Sequence, residues 1–418
     1  MIAQDVAGSQ RLEQLVVEEV RALWGPLLAA ESGEAAEEMV LRWSRRVGGR
    51  VLEAGLQARL EAEQGRRCEC GGREHVHSRR PRTALTLLGP VRVVRAYLRC
   101  RRCGARRSEG EAWLGWRGTF SRRLEEAVAW EAADKPYRAA LQGLRKQCGV
   151  ELSLAGAQGI VARWGARELP AAPYAERVPG ALVVEIDGTT AHLEEGWREV
   201  KVATCFSWDR KGPDAEPQAQ TCVADWRPAA EFAQPLWQEA LARGAPTAAA
   251  VAVVADGAPW IWELAHLLFP RATQILDYYH ACEHVCAAAA VVHGEGSEAA
   301  HELAARWKDE LWQGRSEGLQ EELRELAHTA RDPEGVLRKT AAYLSTHQAR
   351  LRYPQFRAAG WPIASGVVEG ACKDLIDLRF KRKSTRWTKA GARAVLRLRL
   401  DRRNHRWEQR VQHMRLAA

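Results

Sequence analysis

The sequence predicts an α/β core interrupted by an all-α insertion, preceded by N-terminal helices, a small cysteine-bearing β module and a second helical region. Three observations carry this reading. Two β-branched apolar runs, residues 181–186 and 250–255, each end in an Asp-Gly pair, Asp187-Gly188 and Asp256-Gly257; short apolar runs closed by a turn signal read as buried strands. Residues 278–358 carry apolar side chains at helical spacing almost throughout. Cys68-Glu-Cys70-Gly and Cys100-Arg-Arg-Cys103-Gly open and close a strand-rich stretch.

Taken in order, residues 9–30 and 34–64 read as two helices, because Leu12, Leu15, Val16 and Val20, then Val40, Trp43, Val47 and Val51, recur at helical spacing. Residues 84–98 read as two strands turning at Gly89-Pro90. That places two cysteine knuckles on a hairpin, where Cys68, Cys70, Cys100 and Cys103 can hold a structural Zn²⁺ tetrahedrally. A stretch too short for its own core draws folding energy from such a metal. The first knuckle is Cys-x-Cys, so His75 and His77 stand as alternative ligands. Arginines such as Arg79, Arg80, Arg101 and Arg102 suit the module to phosphate contacts.

Ser121 is placed to cap a helix over 122–133, a second helix over 135–148 stops at Gly149, and Ser153 opens a third over 154–164. Helix, glycine turn and capped helix is the helix-turn-helix pattern, shared with ordinary helical hairpins. Residues 170–179 read as a linker. A strand ending at Asp187 follows, then strands at 197–208 and 219–226, a helix at 229–243, a strand ending at Asp256, a helix at 259–268 and a short strand at 274–277. Three strands, helix, strand, helix, strand is the order of a ribonuclease H-like α/β domain, in which the first and fourth strands are neighbours. Helices at 278–292, 298–312, 318–328 and 333–347 come next, and Pro354, Gly360 and Pro362 end them before a helix at 366–379 that carries Glu369. The chain thus divides into N-terminal helices (1–64), a zinc-ribbon-like module (65–108), a helix-turn-helix-like DNA-binding region (109–170), the first part of the core (171–277), the helical insertion (278–360), and a Glu369 helix with basic tail (361–418).

A chain of 418 residues buries a sizeable core and suits two to four domains. Without an apolar run of membrane-spanning length or a basic-then-apolar N-terminus, the expected location is the cytoplasm, on the nucleoid when bound to DNA. Ten cysteines there read as metal ligands or buried thiols. The net charge of +9 points to nucleic acid. It concentrates in the tail, where residues 373–410 hold fourteen Lys/Arg against four Asp/Glu. Within it Arg382, Lys383, Arg386, Trp387 and Lys389 form a candidate phosphate-contacting surface. Trp307 and Trp312 in the insertion are candidates for stacking on an unpaired base.

Asp187, Asp256 and Glu369 are the candidate catalytic acids. Clustered carboxylates suit hard cations, Mg²⁺ or Mn²⁺, and two such ions about 3.5–4 Å apart activate an attacking oxygen and stabilise a leaving one in phosphodiester chemistry. Asp277 and His280 sit at a strand–helix junction and read as site-supporting, Asp277 also as an N-cap.

These residues carry a resemblance. Ile186-Asp187-Gly188, Val254-Ala-Asp256-Gly257 with Trp260, Asp277-Tyr-Tyr-His280 and Ser365-Gly-Val-Val-Glu369-Gly-Ala371 resemble the motifs of bacterial insertion-sequence transposases of the ISKra type, close to the Mutator-like DDE transposases. The resemblance implies a ribonuclease H-like catalytic domain, Asp187, Asp256 and Glu369 as a DDE triad with two divalent ions, and Asp277-x-x-His280 as the motif after the second acid. It also implies double-stranded DNA, both inverted-repeat ends and target, as partner, and a homo-oligomer in the active complex. Two other readings stand beside it: a catalytically inactive zinc-ribbon DNA-binding protein descended from such an enzyme, and a metal-dependent nuclease without strand transfer. The intact spacing of the three acids opposes the first.

Overall fold

The computed structural model describes residues 6–62, 68–108, 110–116, 118–173, 180–209, 215–383 and 385–416. They form two compact units, Met1–Trp164 with Glu408–Ala418, and Gly165–Trp407. The 170–179 linker expectation falls partly outside the described residues.

In the first unit α1 (Val6–Leu28) and α2 (Gly33–Ala62) pack side by side, with Arg46 and Arg50 of α2 on Glu19 of α1. A three-stranded sheet follows, β1 (Glu74–Thr86), β2 (Gly89–Cys100) and β3 (Arg106–Ser108), antiparallel with β2 central. The hairpin turns at Leu87-Leu88, two residues before the expected Gly89-Pro90. Thr86 pairs with Gly89, whose φ of +95° only glycine adopts without strain, and the Thr86 hydroxyl donates to the Gly89 carbonyl at 2.8 Å. The module has no core of its own and borrows one: its turn end packs Ala84, Val91 and Val93 against Leu60 of α2 and against Leu114 and Trp116, at and just beyond the short α3 (Glu111–Leu114).

Ser121 caps α4 (Arg122–Asp134), accepting from the Leu124 amide. The following α5 (Tyr137–Cys148) stops at Gly149, held at φ 65°. Ser153 opens α6 (Leu154–Ala166), accepting from the Gly156 amide at 3.0 Å. Buried Glu125 of α4 takes Arg163 and the Trp164 indole N–H of α6, which locks these two helices together.

The second unit is built on a five-stranded mixed sheet of order β6-β5-β4-β7-β8. Its strands and helices run β4 (Ala181–Leu193), β5 (Gly196–Trp208), β6 (Gln218–Asp225), α7 (Ala229–Ala242), β7 (Ala250–Ala255), α8 (Pro259–Leu268) and β8 (Thr273–Leu276). The first three strands are antiparallel; β7 and β8 join parallel to β4 through helical crossovers. Residues 181–186 of β4 are buried on both faces, as a central strand flanked by helices requires.

Helices α9 (Tyr278–His293), α10 (Glu298–Trp312), α11 (Ser316–Thr329), α12 (Val336–Thr346) and α13 (Tyr353–Ala358) follow. They do not form a body of their own. Trp307, Leu311, Leu323 and Leu344 belong to the same continuous core as Val183, Val253 and Ile275 of the sheet. Trp307 is therefore a fully buried core residue and not a base-stacking platform.

Next, α14 (Gly366–Cys372) passes through a π-turn (Lys373–Asp377) into α15 (Leu378–Phe380). A π-turn leaves carbonyls without their usual partners, and the buried Arg399 of α16 (Lys389–Arg403) meets them, donating to Leu375 O at 3.0 Å and Asp374 O at 2.6 Å. The chain ends in α17 (Trp407–Leu416), whose residues from Glu408 on belong to the first unit. No helix among the described residues is long and apolar enough to cross a membrane.

Candidate active site

Asp187 does not end its strand. β4 continues on β5 to Leu193, but its parallel partner stops: Ile186 opposite Ala255 is the last β4–β7 pair. Asp187 and Asp256 are the next residue on each of these neighbouring strands, which run about 4.8 Å apart. The corrected feature is thus the place where β7 leaves β4. Asp256 turns there, its Oδ1 accepting from the Ala258 amide at 2.9 Å and leading into α8 with Pro259 in its first turn.

Glu369 lies in the first turns of α14 and is exposed. Two buried carboxylates hold that helix. Asp277 is 1% exposed; its Oδ1 caps α9 by accepting from the His280 amide at 2.7 Å, and its Oδ2 accepts from the Ser365 amide at 2.5 Å. The Ser365 hydroxyl sits 2.8 Å from Asp277 Oδ2 and 3.2 Å from Glu369 Oε1, sharing one proton between them. Glu185, also 1% exposed, accepts from the Val368 amide at 2.7 Å. One helical turn on, the Cys372 thiol donates to Asp187 Oδ2 at 3.3 Å.

The acids feel one another. Burial holds the Asp187 carboxyl above its ordinary range and the charges of Asp256 and Glu369 push the same way, while hydrogen bonds from Cys372 and Gly188 pull it down. Burial pushes Glu185 up to about 8, with Asp277 and Glu369 adding to the effect. Oxygen donors of this kind suit a hard divalent cation. The oxygens of the three acids do not all come within 4.8 Å of one another, a spacing met among the described residues by four cysteines. A pair of ions about 3.5–4 Å apart spreads its ligands more widely than a single ion does.

Sequence reasoning passed over Glu185 and Lys201. The signal for Glu185 was a carboxylate inside an apolar run two residues before Asp187, hence on the same strand face. Lys201, buried on β5 opposite Gly188, lies over the Trp260 ring at 5.2 Å and pairs with Glu199 at 2.8 Å.

Of the other expected site residues, His280 sits beside His284 on α9, 3.6 Å from Glu283. His284 stacks on Tyr343 of α12 with ring centroids 4.0 Å apart, and the Tyr343 ring fills the space where a Cβ on Gly257 would stand, 2.1 Å away. His347, which caps the C-terminus of the same helix, is 4% exposed; Arg350 donates to its Nδ1 at 3.1 Å. Burial, helped by that guanidinium, pushes the His347 imidazole down to about 4. The unfolded chain therefore binds a proton between roughly pH 6.5 and 4 that the native state does not, and stability falls as pH drops through that window. His347→Gln is expected to flatten this fall by roughly 2 kcal/mol; urea unfolding at pH 7 and pH 4.5 measures it, and equal falls in both proteins would refute it.

The DNA-contact expectations divide. Arg382, Lys383, Arg386 and Lys389 are exposed. Trp387 is not available to a ligand: it is 6% exposed, packs on Phe380 with centroids 5.0 Å apart, lies under the Arg379 guanidinium at 4.6 Å and accepts from the Glu194 amide through its carbonyl. Trp312 remains partly exposed, but Arg357 covers its ring at 3.7 Å and Tyr278 meets it edge-on, so that face cannot stack on a base.

In the first unit Cys68, Cys70, Cys100 and Cys103 bring their sulfurs within 4.8 Å of one another, Cys68–Cys103 and Cys70–Cys100 at 3.6 Å. A tetrahedral site with Zn–S near 2.3 Å places sulfurs roughly 3.8 Å apart, so the four cysteines could bind a metal such as zinc without help from His75 or His77. Both histidines lie in β1. The Cys103 and Arg102 amides pull the Cys100 thiol down to about 6. Gly72 has no room for a side chain, since a Cβ there would meet Cys100 Sγ at 2.7 Å. No protein-family model and no curated protein matches the chain.

Proposed function

We propose that this chain is a DNA transposase that cuts phosphodiester bonds at insertion-sequence ends and joins the freed 3′-hydroxyl to target DNA, using a ribonuclease H-like core. The observation that carries the reading is the register of β4 and β7, which delivers Asp187 and Asp256 side by side, with Glu369 near enough to raise Asp187 electrostatically. The strand order β6-β5-β4-β7-β8 supports the ribonuclease H-like reading. So does the position of the helical segment between the second and third acids.

In this reading Asp187, Asp256 and Glu369 hold Mg²⁺ or Mn²⁺, which supplies activation of the attacking oxygen and neutralises charge on the leaving one. The chain's own residues orient these ligands: Asp277 and Ser365 fix the segment entering α14, and the Asp256 turn is braced by Tyr343. Exposed Arg382, Lys383, Arg386 and Lys389 supply contacts to the duplex backbone, with the helix pair α5–α6 as the end-binding element and a Zn²⁺-held module beside α2. The partners are the element's ends and target DNA, and the active complex is a homo-oligomer.

The test uses duplexes of the inverted repeats flanking the coding region. With Mg²⁺ the chain is expected to expose a 3′-hydroxyl at the end and, given a target plasmid, to give joined products. Cutting without joining assigns the chain to metal-dependent nucleases, and binding without cutting assigns it to DNA-binding proteins.

A further inference from the structure

Glu185 is an expensive residue where it stands. It lies in the doubly buried half of β4, and an isolated carboxylate there costs several kcal/mol that a valine would not. The apolar run builds the strand without it. Its partner is not in the sheet: Oε2 accepts from the Val368 amide, one of the first amides of α14, which have no acceptor inside the helix. Two residues on, on the same face of β4, Asp187 takes the Cys372 thiol. Val368 and Cys372 are one helical turn apart and Glu369 lies between them. Two carboxylates of one strand thus grip one helix at two points and set its register along the strand, while Asp277 holds Ser365 at its start.

We infer that Glu185 is a positioning residue for Glu369: by holding the Val368 amide it fixes α14 so that the third acid stands beside Asp187 and Asp256. The inference rests on the proposed role of those three acids. A slip of α14 by one residue along β4 would rotate Glu369 by about 100° around the helix, away from its partners.

The test compares full-length, zinc-loaded wild type with Glu185→Ala and Glu185→Gln, using Asp187→Asn as the blank for Mn²⁺ bound elsewhere. In Glu185→Ala the amides of residues 365–372 are expected to exchange at least tenfold faster, and the acids to bind Mn²⁺ at least tenfold more weakly in an electron-resonance titration of the free chain. Glu185→Gln keeps one oxygen for the Val368 amide and is expected to recover most of both. Faster exchange with unchanged Mn²⁺ affinity would reduce Glu185 to a structural residue and overturn the inference, as would unchanged exchange. Should Glu185→Ala not fold, Ser365→Ala loosens the other anchor, and undiminished Mn²⁺ affinity in it overturns the inference too. Neither readout needs DNA, so a wild type that binds Mn²⁺ but leaves end duplexes uncut sinks the proposed function alone.

Discussion

Asp187→Asn is expected to abolish strand cleavage, by roughly a thousandfold or more, while leaving affinity for end DNA within a few-fold of wild type. A carboxylate that anchors a catalytic divalent ion supports several kcal/mol of transition-state stabilisation, and each 1.36 kcal/mol is about tenfold in rate. Asparagine keeps the size and still offers an oxygen to the Cys372 thiol, so the strand–helix contact survives. It also removes a half-buried charge that Asp256 and Glu369 oppose, so the variant should melt at the wild-type temperature or above. Expected DNA contacts such as Arg382 and Lys383 lie outside the substitution. Gel-shift titration, a cleavage assay and a thermal melt on the same preparation decide the matter: normal cutting sinks the role of Asp187, and lost cutting with a lowered melting point would mean damage to the fold.

The helices and strands were legible because their signals are local. The apolar runs at 181–186 and 250–255, the glycine at 149 and the capping serines at 121 and 153 each report on their own few residues. What sequence reasoning missed depends on partners distant in the chain. Asp187 reads as a strand end because Gly188 follows it, yet β5 carries β4 six residues further, and only the stop of β7 makes the position special.

The basic tail misled for the same reason. Its four acids cannot balance fourteen cations, but Arg397 pairs with Glu168, Arg393 with Asp225 at 3.2 Å and Arg406 with Glu239 at 2.8 Å. Much of the charge is internal cement, and the exposed cations gather in the short stretch around Arg382 to Lys389. Trp387 sits in that basic stretch, but Phe380 and Arg379 cover it. One face of Trp312 is likewise taken by Arg357, a residue 45 positions away whose guanidinium also donates to the Trp312 carbonyl. Glu185 was readable as an anomaly, an ionisable group inside a strand; its purpose was not, because Val368 lies 183 positions on.

Removing zinc is expected to melt one end of the three-stranded module and spare the other. The knuckle end consists of Glu74–Val76, Leu98–Cys103 and β3, joined by three β1–β2 pairs, three β2–β3 pairs and the bidentate Arg107–Glu74 contact. Its buried apolar surface is small, and four thiols brought to within 4.8 Å repel once they ionise without a cation. Structural zinc supplies about 10–16 kcal/mol to comparable small modules, far more than the single part-buried Arg107–Glu74 pair can. The turn end has independent support in Leu60, Leu114 and Trp116 around Val91 and Val93. Chelation, or Cys100→Ser, should therefore abolish amide protection in β3 and in the β1–β2 pairs nearest the cysteines, with pairs such as Ala84–Val91 retained. Metal analysis should find one zinc per wild-type chain and none in Cys100→Ser. Uniform loss of protection along the hairpin would show that α2 and α3 do not hold it alone, and full protection without metal would remove zinc from the architecture.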